Sequence, residues 1–256
     1  MSDNPPCESL AAAAVSHADA RGLLGVEAHV EHTVTRVVTW DSAAVLSAVS
    51  LPAKTRCRVD VRVYASDGRC GVASGEAKHA DAVCALVDKA ADAMGPPNPF
   101  AGPATQYKQT DVGLGLMDRR HPTIEEQDRE DAVNHNIEDV RSAVAAVPLA
   151  FRYTEVLRTR AMAASNGNSR SERGTHYTLS GKVASADGQH VIESSVQSRL
   201  FADAASLPLG ADMANQIARY VDPQPMPSGD MPILIEPRVV AKIMAAAVPA
   251  FERDRV

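Results

Sequence analysis

The side chains that could do chemistry in this 256-residue chain are eight histidines, four cysteines and a scatter of serines and carboxylates. His29 and His32 are three apart in a segment that alternates like a strand. An odd separation there turns two side chains to opposite faces, so one ion cannot take both. His121 and His135 lie before and within a polar helix, and His176 and His190 sit near opposite ends of one hairpin. No His-Glu-x-x-His and no Cys/His cluster occurs. Cys7, Cys57, Cys70 and Cys84 show no Cys-x-x-Cys spacing and read as free, partly buried thiols of a reducing compartment. Gly-x-Ser-x-Gly is absent, and turn chemistry explains Ser165 and Ser169 in Ser165-Asn-Gly-Asn-Ser169. Gly113-Leu-Gly115 is too short for a phosphate loop. Glu125 and Glu126 point roughly 100° apart on a helix, which is poor for joint acid–base work. The expectation is no catalytic residue, no metal ligand and no cofactor on this chain.

The elements that position these groups follow from periodicity. Glu8 to Arg21 reads as a helix ended by Gly22. Val26, Ala28, Val30 and Val34 alternate with Glu27, His29 and Glu31, the pattern of a half-buried strand. Val59, Val61 and Val63 repeat it, and Asp67-Gly68 turns the chain back into a hairpin read with Cys70 opposite Ala65. Lys78 to Met94 is helical, stopped by Gly95-Pro-Pro-Asn-Pro99. Thr123, with Glu126 as capping-box partner, starts a helix whose Val133, Ile137, Val140, Val144 and Val147 share a face. Its acidic run Glu125 to Asp131 reads as a solvated first turn. Phe151 to Ala163 is strand-like. Asp187-Gly188 as a type I′ turn pairs Val183 with Ile192, Leu179 with Val196 and Lys182 with Glu193. Leu209 to Val221 follows as a helix with Met213, Ile217 and Tyr220 on one side. Hairpins mixed with helices give an α+β fold with a largely antiparallel twisted sheet and flanking helices.

Residues 1–221 make the main domain, 222–230 a Pro-rich linker, and 231–256 a short strand and helix. Net charge is −6, from 26 basic and 32 acidic residues, which argues against broad binding to nucleic acid or anionic lipid. No apolar run reaches the roughly 20 residues of a membrane span. Met-Ser-Asp-Asn-Pro-Pro lacks the basic and apolar regions of a secretion signal, so a cytoplasmic protein is expected.

Two stretches carry a resemblance. Asp222-Pro-Gln-Pro-Met-Pro-Ser-Gly229 leads into the apolar run Pro232-Ile-Leu-Ile235, and Glu236-Pro237 opens a helix. Upstream, Asn168-Ser169 precedes a long strand, with a glycine only at Gly174. Together they resemble the N-terminal half of the TldD/PmbA family, whose older name is modulator of DNA gyrase. The metal-bearing subunit of that family carries His-Glu-x-x-x-His on the corresponding helix, where this chain reads Ile243-Met-Ala-Ala-Ala-Val-Pro249. The resemblance therefore implies a PmbA-like, TldE-like, metal-free subunit. Its partner would be a TldD-like zinc peptidase, with zinc on that partner and peptides enclosed as substrate. Antibiotic or peptide natural-product maturation is the pathway type implied. A stand-alone regulatory module of the gyrase-modulator type is the alternative.

Asn168 and Ser169 are the candidate family-motif loop. Ile233, Ile235, Val239, Val240, Ile243 and Met244 are the candidate interface, having little of their own chain left to bury against. Burying each would contribute roughly 1.5–3 kcal/mol.

Overall fold

The computed structural model describes residues 7–43, 47–97, 116–220, 229–230, 232, 235 and 237–251. It divides the chain into two compact units, Met1–Val221 and Asp222–Val256. In the first unit α1 (Cys7–Ala20) leads into β1 (Gly25–Asp41), β2 (Val49–Tyr64), β3 (Cys70–Glu76) and α2 (Ala80–Asp92). A 3₁₀ turn (His121–Thr123) and α3 (Glu126–Arg141) precede β4 (Ala146–Ala164), β5 (Ser169–Ser185) and β6 (Val191–Ser198). Two short helices follow, α4 (Phe201–Ser206) and α5 (Leu209–Ala218). The strands form one six-stranded antiparallel sheet in the order β3-β2-β1-β4-β5-β6. Each half thus runs helix, three-strand meander, helix, and the halves meet at the β1–β4 seam. The fold is α+β, as the alternation of hairpins and helices implied.

Alternation decides what faces what. Val26, Ala28 and Val30 on β1 share a face with Val59, Val61 and Val63 on β2, and α1 and α2 cover them in one core. Val38 and Trp40, of the same parity on β1, join Phe151, Tyr153, Tyr177, Leu179 and Val183 under α3 and α5 in a second core. Both cores lie on one face of the sheet. The opposite face carries alternating charged and polar side chains.

Three local expectations are corrected. A type I′ turn needs positive φ at both central residues, yet among the described residues no non-glycine has positive φ. Only Gly68 (φ 82) and Gly188 (φ 71) turn left-handed in those loops. Around Gly68 the loop is one residue longer than expected: Ala65 N–H donates to the Arg69 carbonyl at 2.9 Å, and Cys70 stands opposite Tyr64, not Ala65. Around Gly188 the loop has four residues, a length that preserves the register of a two-residue turn. Val183–Ile192, Leu179–Val196 and Lys182–Glu193 therefore pair as expected, the last as a 2.9 Å ion pair.

The start of α3 is the second correction. Glu125 caps it, with Asp128 accepting the Glu125 N–H at 2.8 Å, because Thr123 is taken into the 3₁₀ turn and donates to the Arg120 carbonyl. Third, helices end early. Val133, Ile137 and Val140 are buried, but Val144 lies beyond Arg141 and is fully exposed. Tyr220 lies beyond the end of α5, half-exposed and stacked on His190. In the second unit α6 (Pro237–Phe251) begins with Pro237, whose fixed φ suits a first helical turn. Ile233 and most of the linker lie outside the described residues. Pro232 and Ile235, the described members of the expected strand, have no strand pairing.

α5 rests on α3 through one close approach. Gly210 N–H donates to Asn136 Oδ1 at 2.7 Å, and a Cβ at Gly210 would stand 2.1 Å from the Asn136 carbonyl oxygen. Gly210→Ala is expected to cost roughly 1–3 kcal/mol in urea unfolding, since neither backbone can yield without moving a helix. Gly95→Ala, with open space around it, is the neutral control. Equal midpoints for the two variants would contradict this packing.

Candidate functional site

Glu155 is the most constrained polar group among the described residues. It sits on β4 with the core-facing parity of Phe151 and Tyr153, directly opposite Arg36 on β1, and its side chain is fully buried. Arg36 Nη1 donates to Oε1 at 2.7 Å, and Arg129, on the second turn of α3, donates from Nε to Oε2 at 2.8 Å. Arg129 Nη2 reaches Oε1 at 3.3 Å, His121 Nε2 lies 3.0 Å from Oε1, and the Tyr153 hydroxyl donates to Oε2 at 3.1 Å. Both carboxylate oxygens are fully engaged.

The segment that delivers His121 is itself stitched down. Asp118 N–H donates to Thr175 Oγ1, and Asp118 accepts from the Arg120 and Phe201 backbone N–H groups, each at 2.8 Å. Burial alone would raise the Glu155 pKa. Hydrogen bonds from His121 and Arg129, the Arg129 charge and the Arg36 bond outweigh it and hold the carboxyl at about 2, below its ordinary 4.5. Burial and the adjacent carboxylate push the Tyr153 hydroxyl far above its ordinary value. A carboxylate this tightly ionised has no proton to give, and no described nucleophile stands beside it. Its chemistry is structural: it ties α3 and the 3₁₀ turn to the seam of the sheet.

Sequence reasoning missed this centre, placing Arg129 in a solvated first turn and His121 before a polar helix. A signal was present. Arg36 and Glu155 are opposite charges on the core-facing parity of two apolar strands.

The expected loop, Asn168 and Ser169, closes the β4–β5 hairpin. Ala164 N–H donates to the Asn168 carbonyl at 2.9 Å, Gly167 supplies φ 82, and Ser169 begins β5 opposite Ala163. Ser165 joins it to β1: its Oγ accepts the Val26 N–H at 2.9 Å and its N–H donates to the Val26 carbonyl at 3.0 Å. The segment holds a hairpin end against the start of β1. Of the expected interface, Ile233 lies outside the described residues. Ile235, Val239, Val240, Ile243 and Met244 are all exposed, between 42% and 59%.

His29 is exposed and His32 buried, on opposite faces, and burial lowers the His32 pKa. Among the described residues no three His, Cys, Asp or Glu side chains converge as metal ligands. Residues 243–249 of α6 include no His, Cys, Asp or Glu. All four cysteines are free. Among the described residues no helix is long and apolar enough to cross a membrane.

Among the described residues of the first unit, the sheet face opposite the two cores carries two adjoining clefts. One, of about 390 Å³, is lined by Arg158, Arg160, Arg173, Gly174, His176 and Arg199, among others. The second, of about 590 Å³, shares Arg160 and Glu172 with it and adds Glu31, Asp60 and Arg170.

No protein-family model matches this chain, and no curated protein matches it in sequence. Solved structures do match its fold. A proposed modulator of DNA gyrase from Bacteroides thetaiotaomicron superposes with TM-score 0.68 at 15% identity, over 82% of this chain and 49% of that one. A second proposed gyrase modulator, from Thermotoga maritima, gives 0.65 at 13% identity, over 87% and 50%. TldE from Thermococcus kodakarensis gives 0.60 at 13% identity, over 84% and 46%. The chain spans about half the length of these structures. It shares their fold over that half.

The Glu155 centre generates a stability test. Glu155→Gln leaves the buried Arg129 guanidinium without its counter-charge, and the expected loss is roughly 3–5 kcal/mol in chemical denaturation. The pH dependence has a fixed sign. Because the folded pKa is depressed, the stabilisation is complete above about pH 4.5, falls as pH drops towards 2, and amounts to roughly 3 kcal/mol. The variant should lack that component of the acid transition. An unchanged acid transition would show that Glu155 is not the group being titrated.

Proposed function

We propose that this chain is a non-catalytic subunit of a TldD/TldE-like assembly, pairing with a zinc-bearing peptidase subunit and shaping a chamber for peptide substrates. The observation that carries this reading is the apolar surface of α6. Val239, Val240, Ile243 and Met244 are 42–59% exposed on one 15-residue helix. Val239, Val240, Ile243 and Met244 are spaced one, three and one residues apart, so they form a stripe along one side of the helix. A contiguous apolar stripe of this kind is what a permanent interface buries.

Two further facts support it. The fold is that of the matching half of TldE, and residues 243–249 of the helix include no His or Glu, the types that the family's metal-bearing subunit uses as ligands. Hydrolysis would then belong to the partner, whose zinc activates the attacking water. The contribution of this chain is shape, excluding bulk water and large substrates. Maturation of a peptide natural product is the pathway type we favour, and the cytoplasm the compartment.

Co-expression with a TldD-like protein from the same genome tests this directly. A stable complex is expected, with peptide cleavage faster than by the partner alone. Ile243→Asp/Met244→Asp should stay soluble, keep its far-ultraviolet circular dichroism and lose the complex. If no complex forms and the partner cleaves peptides equally well alone, the reading is wrong.

A further inference from the structure

The two edges of the sheet are built differently. At the β3 edge the Cys70 carbonyl points away from β2 and accepts the Gly95 N–H at 3.0 Å. Residues 49–56 of β2 run on beyond the end of β3, and there the chain carries Pro52, Lys54 and a register shift between Thr35 and Val37 of its neighbour. Proline, lysine and irregular pairing are devices that keep a strand edge from taking on another strand.

The β6 edge has none of them. Val191–Ser198 pairs with β5 without a register shift and contains no proline, lysine or arginine. The Ser185 N–H donates to the His190 carbonyl at 2.8 Å, so His190 turns its backbone groups towards β5. Alternation then turns those of Val191, Glu193, Ser195 and Gln197 outward. Among the described residues none of these four backbones is bonded to another element. Their side chains are exposed, while Ile192 and Val196 are half-buried against the second core.

This strand is complementary to itself. In a two-fold antiparallel pair, residues that meet must lie on the same face, so their numbers share a parity. A register centred on Glu193 would set that carboxylate against its own copy, and one centred on Ser195 would set Ile192 against Ser198. Centring on Ser194 sets Ile192 against Val196 on the helix-covered face, where a pair without mutual hydrogen bonds brings side chains closest. On the other face it sets Glu193 against Ser195 and Val191 against Gln197, and it pairs the outward backbone groups of all four residues. No like charges meet, and Glu193 keeps its 2.9 Å ion pair with Lys182. We propose that β6 joins two copies of this chain, antiparallel about an axis at Ser194, so that their sheets become one. The edge belongs to the first unit and α6 to the second, so this contact is separate from the assembly argued above.

Sedimentation of the full chain alone, at rising concentration, tests this and should show a dimer. Val191→Lys/Gln197→Lys opposes like charges twice across the axis and should weaken dimerisation about tenfold or more. Val191→Lys/Gln197→Glu opposes unlike charges at the same two places and should restore it. Both side chains are exposed, so each variant should keep the far-ultraviolet circular dichroism of the parent. Ser195→Pro removes an outward N–H, leaves the ladder to β5 whole and should abolish the dimer. Ile243→Asp/Met244→Asp should leave the dimer intact. A chain that is monomeric at every soluble concentration would overturn the proposal. So would a dimer that is lost in the α6 variant, or one that both charge variants leave equally strong.

Discussion

A fully buried, ionised carboxylate is an expensive thing to place in a core, and the first unit is arranged around one. Glu155 lies on the β1–β4 seam, where the two three-strand meanders meet, opposite Arg36. An unpaired charge there would cost several kcal/mol, so the surrounding elements are bound to supply its partners. Arg129 fixes the placement of α3, His121 that of the 3₁₀ turn, and Tyr153 offers its hydroxyl from two residues away on the same strand. The early turn that takes in Thr123, and the resulting start of α3 at Glu126, follow from the need to bring His121 to that carboxylate. Apolar packing would tolerate small shifts of α3 over the sheet. A carboxylate with five hydrogen bonds does not.

Beyond the seam, the architecture divides its two faces by task. One face is covered by helices and holds both apolar cores. The other keeps its charges in cross-strand pairs, such as Arg160–Glu31 and Lys182–Glu193, each worth little because water screens it. Exposed pairs of that kind cannot order a sheet. They do set the charge pattern of that face.

Much of this fold was legible in the residues. Alternation in Val26–Val30 and Val59–Val63 marked both strands and the buried side of each, and three cross-strand matches fixed the β5–β6 register before the turn type was right. Turn geometry was less legible, because Asp-Gly is compatible with loops of several lengths and only the backbone shows that glycine alone is left-handed. The extension of the α3 stripe to Val144 and Val147 failed because spacing continues past the point where the hydrogen-bonded helix stops. The Glu155 centre was hidden for a different reason. Its members are spread from residue 36 to residue 155, and periodicity reports the face on which a side chain lies, not what it meets there.

The proposed role depends on what covers α6. Its apolar side chains either meet a second protein or fold against some other part of this chain, and the two alternatives can be separated chemically. A photo-crosslinking residue placed at Ile243, irradiated in the co-expressed pair, is the most direct measurement. A heterotypic adduct is expected, with mass spectrometry locating it on the zinc-bearing subunit. Adducts confined to this chain, with the partner present and active, would contradict it.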